Sequence, residues 1–220
     1  MSLETIELET APNPTASVIV LHGLGADGND FVPIAQEFDL AAVGAVRFVF
    51  PHGPTRPVTL NGGAVMRAWY DIAGVGGVQR EDEAGLRASQ ALVDALIATE
   101  RTRGVAASRI VLAGFSQGCA MTFMAGLRFG ERLAGLLGMS GYLPLAAQTP
   151  AERSAANAGV PIFQAHGTAD TMIQIARATQ SRDALLALGY PVEWHAYPMA
   201  HSVCPQEIGD MNRWLLRVLA

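Results

Sequence analysis

Ser116 has the most reactive setting in this chain, at the centre of the Gly-Phe-Ser-Gln-Gly run at residues 114–118. The mostly apolar residues 109–113 before it predict a buried strand, and residues 119–125 after it predict a helix. A tight strand-to-helix turn leaves little space for flanking side chains, which suits glycine because it lacks a Cβ. The N-terminus of the following helix directs free N–H groups at the same place. The run therefore predicts a serine nucleophile beside a site that stabilises an oxyanion.

Three histidines follow Ser116, and a serine nucleophile needs one of them as its base. His195 lies within a predicted strand, where packing is its expected role. His166 ends an earlier strand and is expected to make a structural hydrogen bond. His201 lies in a loop after the last predicted strand, at the start of the final helix. Because a base in such a loop can reach a serine at the sheet edge, we predict His201 as the base.

A carboxylate must orient that imidazole and stabilise its protonated form. Asp170 stands just past the strand that ends at His166, which places it at the carboxyl edge of the predicted sheet. Four other downstream acids fall inside a helix, inside a strand or in polar surface segments: Asp183, Glu193, Glu131 and Glu152. We therefore predict Asp170 as the orienting acid.

An oxyanion hole needs two backbone N–H donors. One is predicted from Gln117, the residue after the nucleophile. The other is predicted from Leu24, in the glycine-rich loop at residues 22–25. His22 is expected to order this loop rather than to transfer protons. Cys119 is an alternative nucleophile in principle, since a helix N-terminus lowers a thiol pKa, but its position beside the turn favours packing.

Residues 52–80 are rich in Gly and Pro and show few regular signals, which is typical of functional or disordered stretches. The segment nevertheless carries Met66, Trp69 and Tyr70, too many large side chains for a solvated linker. The two aromatic residues are either core residues or pocket walls, and Asp71 is a candidate for tying the loop down. We predict that Met66, Trp69 and Tyr70 bind substrate.

Strands and helices alternate along the chain. Predicted strands occupy 3–9, 17–21, 46–50, 109–113, 133–140, 161–166 and 191–197; predicted helices occupy 31–38, 81–100, 119–125, 173–188 and 205–219; residues 150–159 form a predicted loop. This alternation predicts an α/β fold, with a mostly parallel central sheet covered by helices on both faces. The length and the absence of internal repeats predict a single domain at residues 1–220.

Composition excludes several functions. The net charge is −5 and no Lys/Arg cluster exists, which argues against a nucleic-acid partner. All 15 basic residues are arginines, so a lysine Schiff base, a Walker A phosphate loop and a Ser-Lys dyad are excluded. The two cysteines predict no disulfide scaffold, no zinc spacing is present, and no metal or cofactor is expected.

The N-terminal residues 1–9 are acidic and alternating, unlike a signal peptide. No apolar run reaches the length of about 18 residues that a membrane span needs, so stable membrane insertion is not expected. A cytoplasmic location is the simplest expectation.

Six segments together resemble the carboxylesterase and acyl-protein thioesterase family, of the phospholipase/carboxylesterase type. They are 21–28, 56–61, 66–72, 114–118, 166–170 and 199–204. The residues around Asn61 and around Trp69 are similar to those of the bacterial carboxylesterase branch. Cys119 departs from the resemblance, because the family often has glycine there, and its side chain could trim the acyl pocket.

The resemblance implies an α/β-hydrolase without a large helical cap. It implies that Ser116, His201 and Asp170 hydrolyse small-molecule carboxylic esters, with short- to medium-chain acyl groups. Acyl-thioesters and lysophospholipids are open alternatives, and a homodimer is open because some relatives form one. Less favoured readings are a perhydrolase on the same residues and a non-catalytic binding module.

Overall fold

The computed structural model describes residues 3–75 and 78–220. In chain order its strands are β1 (Thr5–Glu9), β2 (Ala16–Leu21), β3 (Val46–Pro51), β4 (Thr55–Val58), β5 (Ala64–Arg67), β6 (Ile72–Val75), β7 (Val78–Glu81), β8 (Ile110–Phe115), β9 (Gly135–Met139), β10 (Ile162–Gly167) and β11 (Val192–Tyr197). Its helices are α1 (Val32–Ala35), α2 (Glu83–Thr102), α3 (Gln117–Gly126), α4 (Thr149–Glu152), α5 (Ile175–Ala187) and α6 (Pro205–Val218). Short 3-10 turns occupy Ala41–Val43, Thr59–Asn61, Ala107–Arg109 and Ala155–Asn157.

Seven of the described strands form one sheet, in the order β1-β3-β2-β8-β9-β10-β11. All neighbours pair in parallel except β1 and β3, which are antiparallel. Parallel neighbours must be joined by crossovers, and the helices supply most of them. The predicted α/β fold, with a mostly parallel sheet and no large cap in the described residues, is confirmed.

Two apolar cores lie on opposite faces of the sheet, because successive residues of a strand point to opposite sides. Ile19 and Leu112 belong to the core that also contains residues of α2, α3 and α5. Their neighbours Val18 and Val111 belong to the core that also contains residues of α1 and α6. Strands β2, β9 and β10 are buried along their whole length, as expected for strands covered on both faces. This burial fixes the carboxyl ends of the strands, where the candidate site residues lie.

Three predictions of local structure were wrong. The segment 52–80 was expected to show few regular elements, but its described residues, which leave out 76–77, form two antiparallel strand pairs, β4–β5 and β6–β7. Strands of four residues are too short to show a periodic pattern, and pairing with a neighbouring strand stabilises them. The predicted helix 31–38 is only one turn long (α1), and the predicted loop 150–159 contains the end of α4.

In the parts of the chain that the structure describes, no helix is long and apolar enough to cross a membrane.

Candidate active site

Ser116 occupies a strained turn between β8 and α3. Its φ is +55° and its ψ is −114°, a left-handed backbone conformation that is unfavourable for a residue with a Cβ. The Ser116 N–H donates to the carbonyl of Met139 at 2.9 Å, and its own carbonyl accepts from Ala120 at 3.3 Å. Neighbouring strand and helix therefore hold this conformation from both sides.

Two glycines make that turn sterically feasible. A Cβ on Gly118 would lie 2.0 Å from the carbonyl oxygen of Leu21 in the adjacent strand. A Cβ on Gly114 would lie 2.3 Å from the backbone of Gly118. Because these neighbours are backbone atoms of buried elements, they cannot move aside cheaply. The glycine spacing read from the sequence thus has a direct steric cause.

His201 and Asp170 form a hydrogen-bonded pair. The Nδ1 of His201 lies 2.7 Å from Oδ2 of Asp170, whose side chain is fully buried. The other carboxylate oxygen accepts the backbone N–H groups of Met172 at 2.8 Å and Ile173 at 2.9 Å. Burial alone would raise the pKa of Asp170, but the imidazole and the two N–H groups outweigh it and hold that pKa below its usual range. An ionised Asp170 accepts a hydrogen bond from the Nδ1–H of His201, which leaves Nε2 with a lone pair.

His166 supports this pair from behind. Its Nε2 lies 2.7 Å from the carbonyl of Ile173 and 3.3 Å from Oδ2 of Asp170, so Nε2 must carry the hydrogen and donate. Burial lowers the pKa of His166, which keeps the ring neutral. The expected structural role of His166 therefore agrees with its hydrogen bonds.

The loop that carries His201 is joined to the loop that carries Asp170. The N–H of Thr168 donates to Tyr197 at 2.8 Å, and the N–H of Ala169 donates to Met199 at 3.0 Å. The His201 ring also packs on Phe115, with ring centroids 4.7 Å apart. The imidazole is therefore held against the residue that precedes Ser116.

A cavity of about 530 Å³ opens at this end of the sheet. It brings together six residues that the sequence singled out: Ser116, His201, Leu24, Gln117, Met66 and Tyr70. Asp170 does not line the cavity, because it lies behind His201. Leu60 and Met172 on its lining are largely exposed side chains, whereas Tyr70 is buried.

Trp69 was predicted to bind substrate, but it does not lie on the cavity lining. Trp69 is fully buried and does not contact the cavity. Its indole N–H donates to the carbonyl of His22 at 2.9 Å, and its ring lies 5.3 Å from the His22 ring, centroid to centroid. A buried tryptophan usually finds a hydrogen-bond partner for its N–H, and here that partner is the backbone of the glycine-rich loop. Met66 and Tyr70 do line the cavity.

His22 fixes the glycine-rich loop, as expected from the sequence. Its Nδ1 lies 2.7 Å from the carbonyl of Gly23, and its Nε2 accepts the N–H of Gly53 at 2.9 Å. Burial lowers the pKa of His22, so the ring is neutral with its hydrogen on Nδ1. Both ring nitrogens are thus occupied by backbone groups.

The other singled-out residues have packing or tethering roles. Cys119 is completely buried, and burial raises the pKa of its thiol, which disfavours the reactive thiolate. His195 stacks on Phe163, with ring centroids 4.8 Å apart. The Asp71 carboxylate accepts hydrogen bonds from the N–H of Thr59 at 2.7 Å and from the Thr59 hydroxyl at 2.6 Å. These bonds tie residues 59 and 71 of the segment 52–80 together. Within residues 3–75 and 78–220, no cluster of three His, Cys, Asp or Glu residues could hold a metal ion.

Sequence reasoning missed several cavity residues. Tyr142 follows β9 and donates or accepts a 2.8 Å hydrogen bond with the hydroxyl of Tyr70. Arg177 lies over the Tyr142 ring, 3.4 Å from its centroid, and also lines the cavity. Tyr142 could have been found by its place at the carboxyl end of a strand. Arg177 lies inside a helix, and its sequence context carries no such signal.

Comparisons with known proteins agree with this architecture. A family model described as Phospholipase/Carboxylesterase matches residues 4–219. Acyl-protein thioesterase 1 of Yarrowia lipolytica is 39% identical over 206 residues, covering 91% of each chain. The crystal structure of Arabidopsis thaliana SOBER1 has a TM-score of 0.88 at 29% identity, covering 93% of this chain and 99% of that one. The crystal structure of Zea mays acyl-protein thioesterase 2 has a TM-score of 0.87 at 27% identity, covering 99% of both.

Proposed function

Because the chain belongs to the phospholipase/carboxylesterase family and is a serine hydrolase of esters or thioesters, we propose that Ser116, His201 and Asp170 are its catalytic triad. One observation carries the proposal. The His201 imidazole, bonded to Asp170 at 2.7 Å, lines the same cavity as the strained Ser116. Residues 1–220 act in this proposal as one hydrolase domain.

The reaction begins when the Ser116 hydroxyl attacks the ester carbonyl and gives its proton to Nε2 of His201. The resulting oxyanion accepts hydrogen bonds from the N–H groups of Leu24 and Gln117, the two proposed donors. The tetrahedral intermediate then collapses, and the leaving alcohol or thiol takes the proton from His201. Asp170 holds the imidazole in the required tautomer throughout.

Water completes the cycle. It attacks the acyl-enzyme carbonyl, gives one proton to His201, and forms a second oxyanion in the same place. Collapse of that intermediate breaks the bond to the Ser116 oxygen, which recovers the proton from His201. The acid product leaves, and the free serine is restored.

The residues that line the cavity favour a substrate with an apolar acyl group. The lining includes the apolar residues Leu24, Met66, Ile72, Phe115 and Ile173, and the cavity volume is about 530 Å³. Cavities of this size bind small molecules rather than polymers. We propose short- to medium-chain carboxylic esters as substrates.

A second candidate activity is acyl-thioester hydrolysis, since a relative covering 91% of this chain is named an acyl-protein thioesterase. The same residues would perform it, because a thiolate leaves the same tetrahedral intermediate as an alkoxide. Lysophospholipid hydrolysis is supported more weakly, by the description of the family alone.

Hydrolysis of p-nitrophenyl esters from acetate to palmitate tests the proposal, with Ser116→Ala in parallel. We expect the highest hydrolysis rate with short- to medium-chain esters, and we expect that rate to fall by about 10⁴–10⁶-fold in Ser116→Ala. Ser108→Ala is the matched control, because Ser108 is exposed. A palmitoyl thioester, followed by thiol release, separates the two activities. Retention of most activity in Ser116→Ala would contradict the triad.

A further inference from the structure

The side chain of Gln117 pairs with the backbone of the wall segment, residues 67–70, in which Tyr70 lines the cavity and Trp69 is buried behind it. Its Oε1 accepts the N–H of Trp69 at 2.7 Å, and its Nε2 donates to the carbonyl of Tyr70 at 2.7 Å. The residue is only 2% exposed. The primary amide therefore satisfies a donor and an acceptor of adjacent wall residues in the same way as a neighbouring strand would.

The proposed oxyanion role of Gln117 uses only its backbone N–H and requires no particular side chain. Glutamine is mostly an exposed residue, and burying its amide is unfavourable unless each polar atom is bonded. Here both amide atoms are bonded to the same dipeptide. The side chain thus has a task that the backbone role does not explain.

The wall segment reached by Gln117 also holds the glycine-rich loop. The indole N–H of Trp69 donates to the carbonyl of His22 at 2.9 Å. The carbonyl of Arg67 accepts the N–H of Gly25 at 2.9 Å. These two bonds flank Leu24, whose N–H is the second proposed oxyanion donor. Gln117 is therefore connected through Trp69 to the loop on the opposite side of the oxyanion.

The same segment positions a cavity residue. The hydroxyl of Tyr70 is bonded to that of Tyr142 at 2.8 Å, and the carbonyl of Trp69 accepts the hydroxyl of Ser89. Gln117 fixes the Tyr70 backbone from the nucleophile side. Displacement of residues 69–70 would therefore change both the wall and the oxyanion loop.

We propose that the Gln117 side chain is a positioning residue that aligns the Leu24 N–H with its own N–H by clamping Trp69 and Tyr70. This inference rests on the proposed esterase function. Removing the side-chain amide leaves the Trp69 N–H and the Tyr70 carbonyl unpaired in a buried place, so the segment must shift to find other partners. The two oxyanion donors would then no longer converge on one point.

Two substitutions separate the clamp from a general effect on packing. Gln117→Met keeps the length of the side chain but makes neither hydrogen bond. Gln117→Glu makes both while its carboxyl is protonated, because the O–H donates to Tyr70 and the other oxygen accepts from Trp69. Ionisation removes the donor and sets a negative charge against the Tyr70 carbonyl. Gln36→Met and Gln36→Glu are the matched controls, because Gln36 is exposed.

The kinetic experiment measures kcat and KM for p-nitrophenyl butyrate from pH 5 to 8, together with labelling by a fluorophosphonate. For Gln117→Met we expect kcat and the labelling rate to fall by about 10- to 100-fold at every pH, since a displaced oxyanion donor costs about that much or more. For Gln117→Glu we expect a rate close to the wild type at pH 5, with the variant-to-wild-type ratio falling as pH rises. Gln36 variants should match the wild type.

A Gln117→Met enzyme that keeps kcat within twofold of the wild type would overturn the proposal. A loss confined to Gln117→Glu would also overturn it, since charge beside the oxyanion would then be the whole effect. If Gln117→Met does not fold, Gln117→Leu, which also makes neither hydrogen bond, replaces it, with the same expected loss and the same overturning result.

A wild type without Ser116-dependent turnover would refute the proposed function separately. Acrylamide quenching of tryptophan fluorescence then still tests whether Gln117 holds Trp69 in place. The measurement uses a Trp194→Phe background, in which the remaining residues Trp69 and Trp214 are both buried. We expect stronger quenching with Gln117→Met added, and unchanged quenching would overturn the clamp.

Discussion

The two sides of the cavity are built in different ways. On the nucleophile side, β8 and α3 are buried, and the turn at Ser116 is fixed by backbone atoms about 2 Å from where extra carbon atoms would lie. On the wall side, β4 and β5 form a short hairpin whose side chains Leu60 and Val65 are 59% and 70% exposed. Close packing therefore fixes the position of the nucleophile, whereas a few hydrogen bonds fix the position of the wall. Changes on the first side should abolish activity, and changes on the second should tune it.

The largest effect after removal of the nucleophile should come from Asp170→Asn. The amide can keep the hydrogen bonds from Met172 and Ile173, so the fold should survive. Its NH₂ group would face Nδ1 of His201 and favour the wrong tautomer, so kcat should fall about 10⁴-fold. Steady-state kinetics check this, and Asp183→Asn, at an exposed helical position, should have no effect. Less than a tenfold loss would contradict the role of Asp170.

Gly118→Ala tests how rigid the nucleophile side is. The new methyl group would meet the Leu21 carbonyl in a buried strand, so the free energy of unfolding should fall by about 3 kcal/mol or more. Urea denaturation measures it. Gly130→Ala is the matched control, because a methyl group added there would meet no neighbouring group within 4 Å. Equal stability of the two variants would show that the turn has more space than these distances indicate.

The sequence predicted the nucleophile side because its constraints are local. Gly114 and Gly118 recur at the spacing that a steric turn requires, and Asp170 and His201 follow predicted strand ends. The wall could not be predicted in the same way, since its strands have four residues and its bonds join distant positions, such as Trp69 to Gln117. The position of Trp69 behind the cavity lining could not be predicted, because the sequence does not show which aromatic residue of a segment a cavity touches.

Glu207 lies in the first turn of α6, which directly follows the loop that carries His201. It is fully buried, and burial raises its pKa to about 8, with the nearby Asp210 adding to the shift. A raised pKa in the folded state favours the protonated form, so its contribution to stability is complete at low pH and is lost as pH rises to about 8. Relative to Glu207→Gln, the wild type should therefore lose roughly 3 kcal/mol of unfolding free energy between pH 5 and 8. Urea denaturation at both pH values checks this, and a constant difference would contradict it.

Met66→Ala should have the smallest effect, on the wall side. Met66 lines the cavity and contacts Asn61, whose amide lies 3.2 Å from its sulfur. Removing it takes apolar contact from the acyl group in both ground and transition states, so KM should rise several-fold, by about 1 kcal/mol of binding, with kcat nearly unchanged. Met172→Ala at the 73% exposed rim should change KM less. A loss of kcat as large as that of Asp170→Asn would erase the distinction between the two sides.

The most direct test of the central claim is covalent labelling of the wild type with a fluorophosphonate, followed by mass mapping of the modified peptide. The account predicts one adduct per chain, on Ser116, with labelling slowed strongly in His201→Ala. Labelling of another residue, or no labelling of a folded wild type, would contradict Ser116 as the nucleophile.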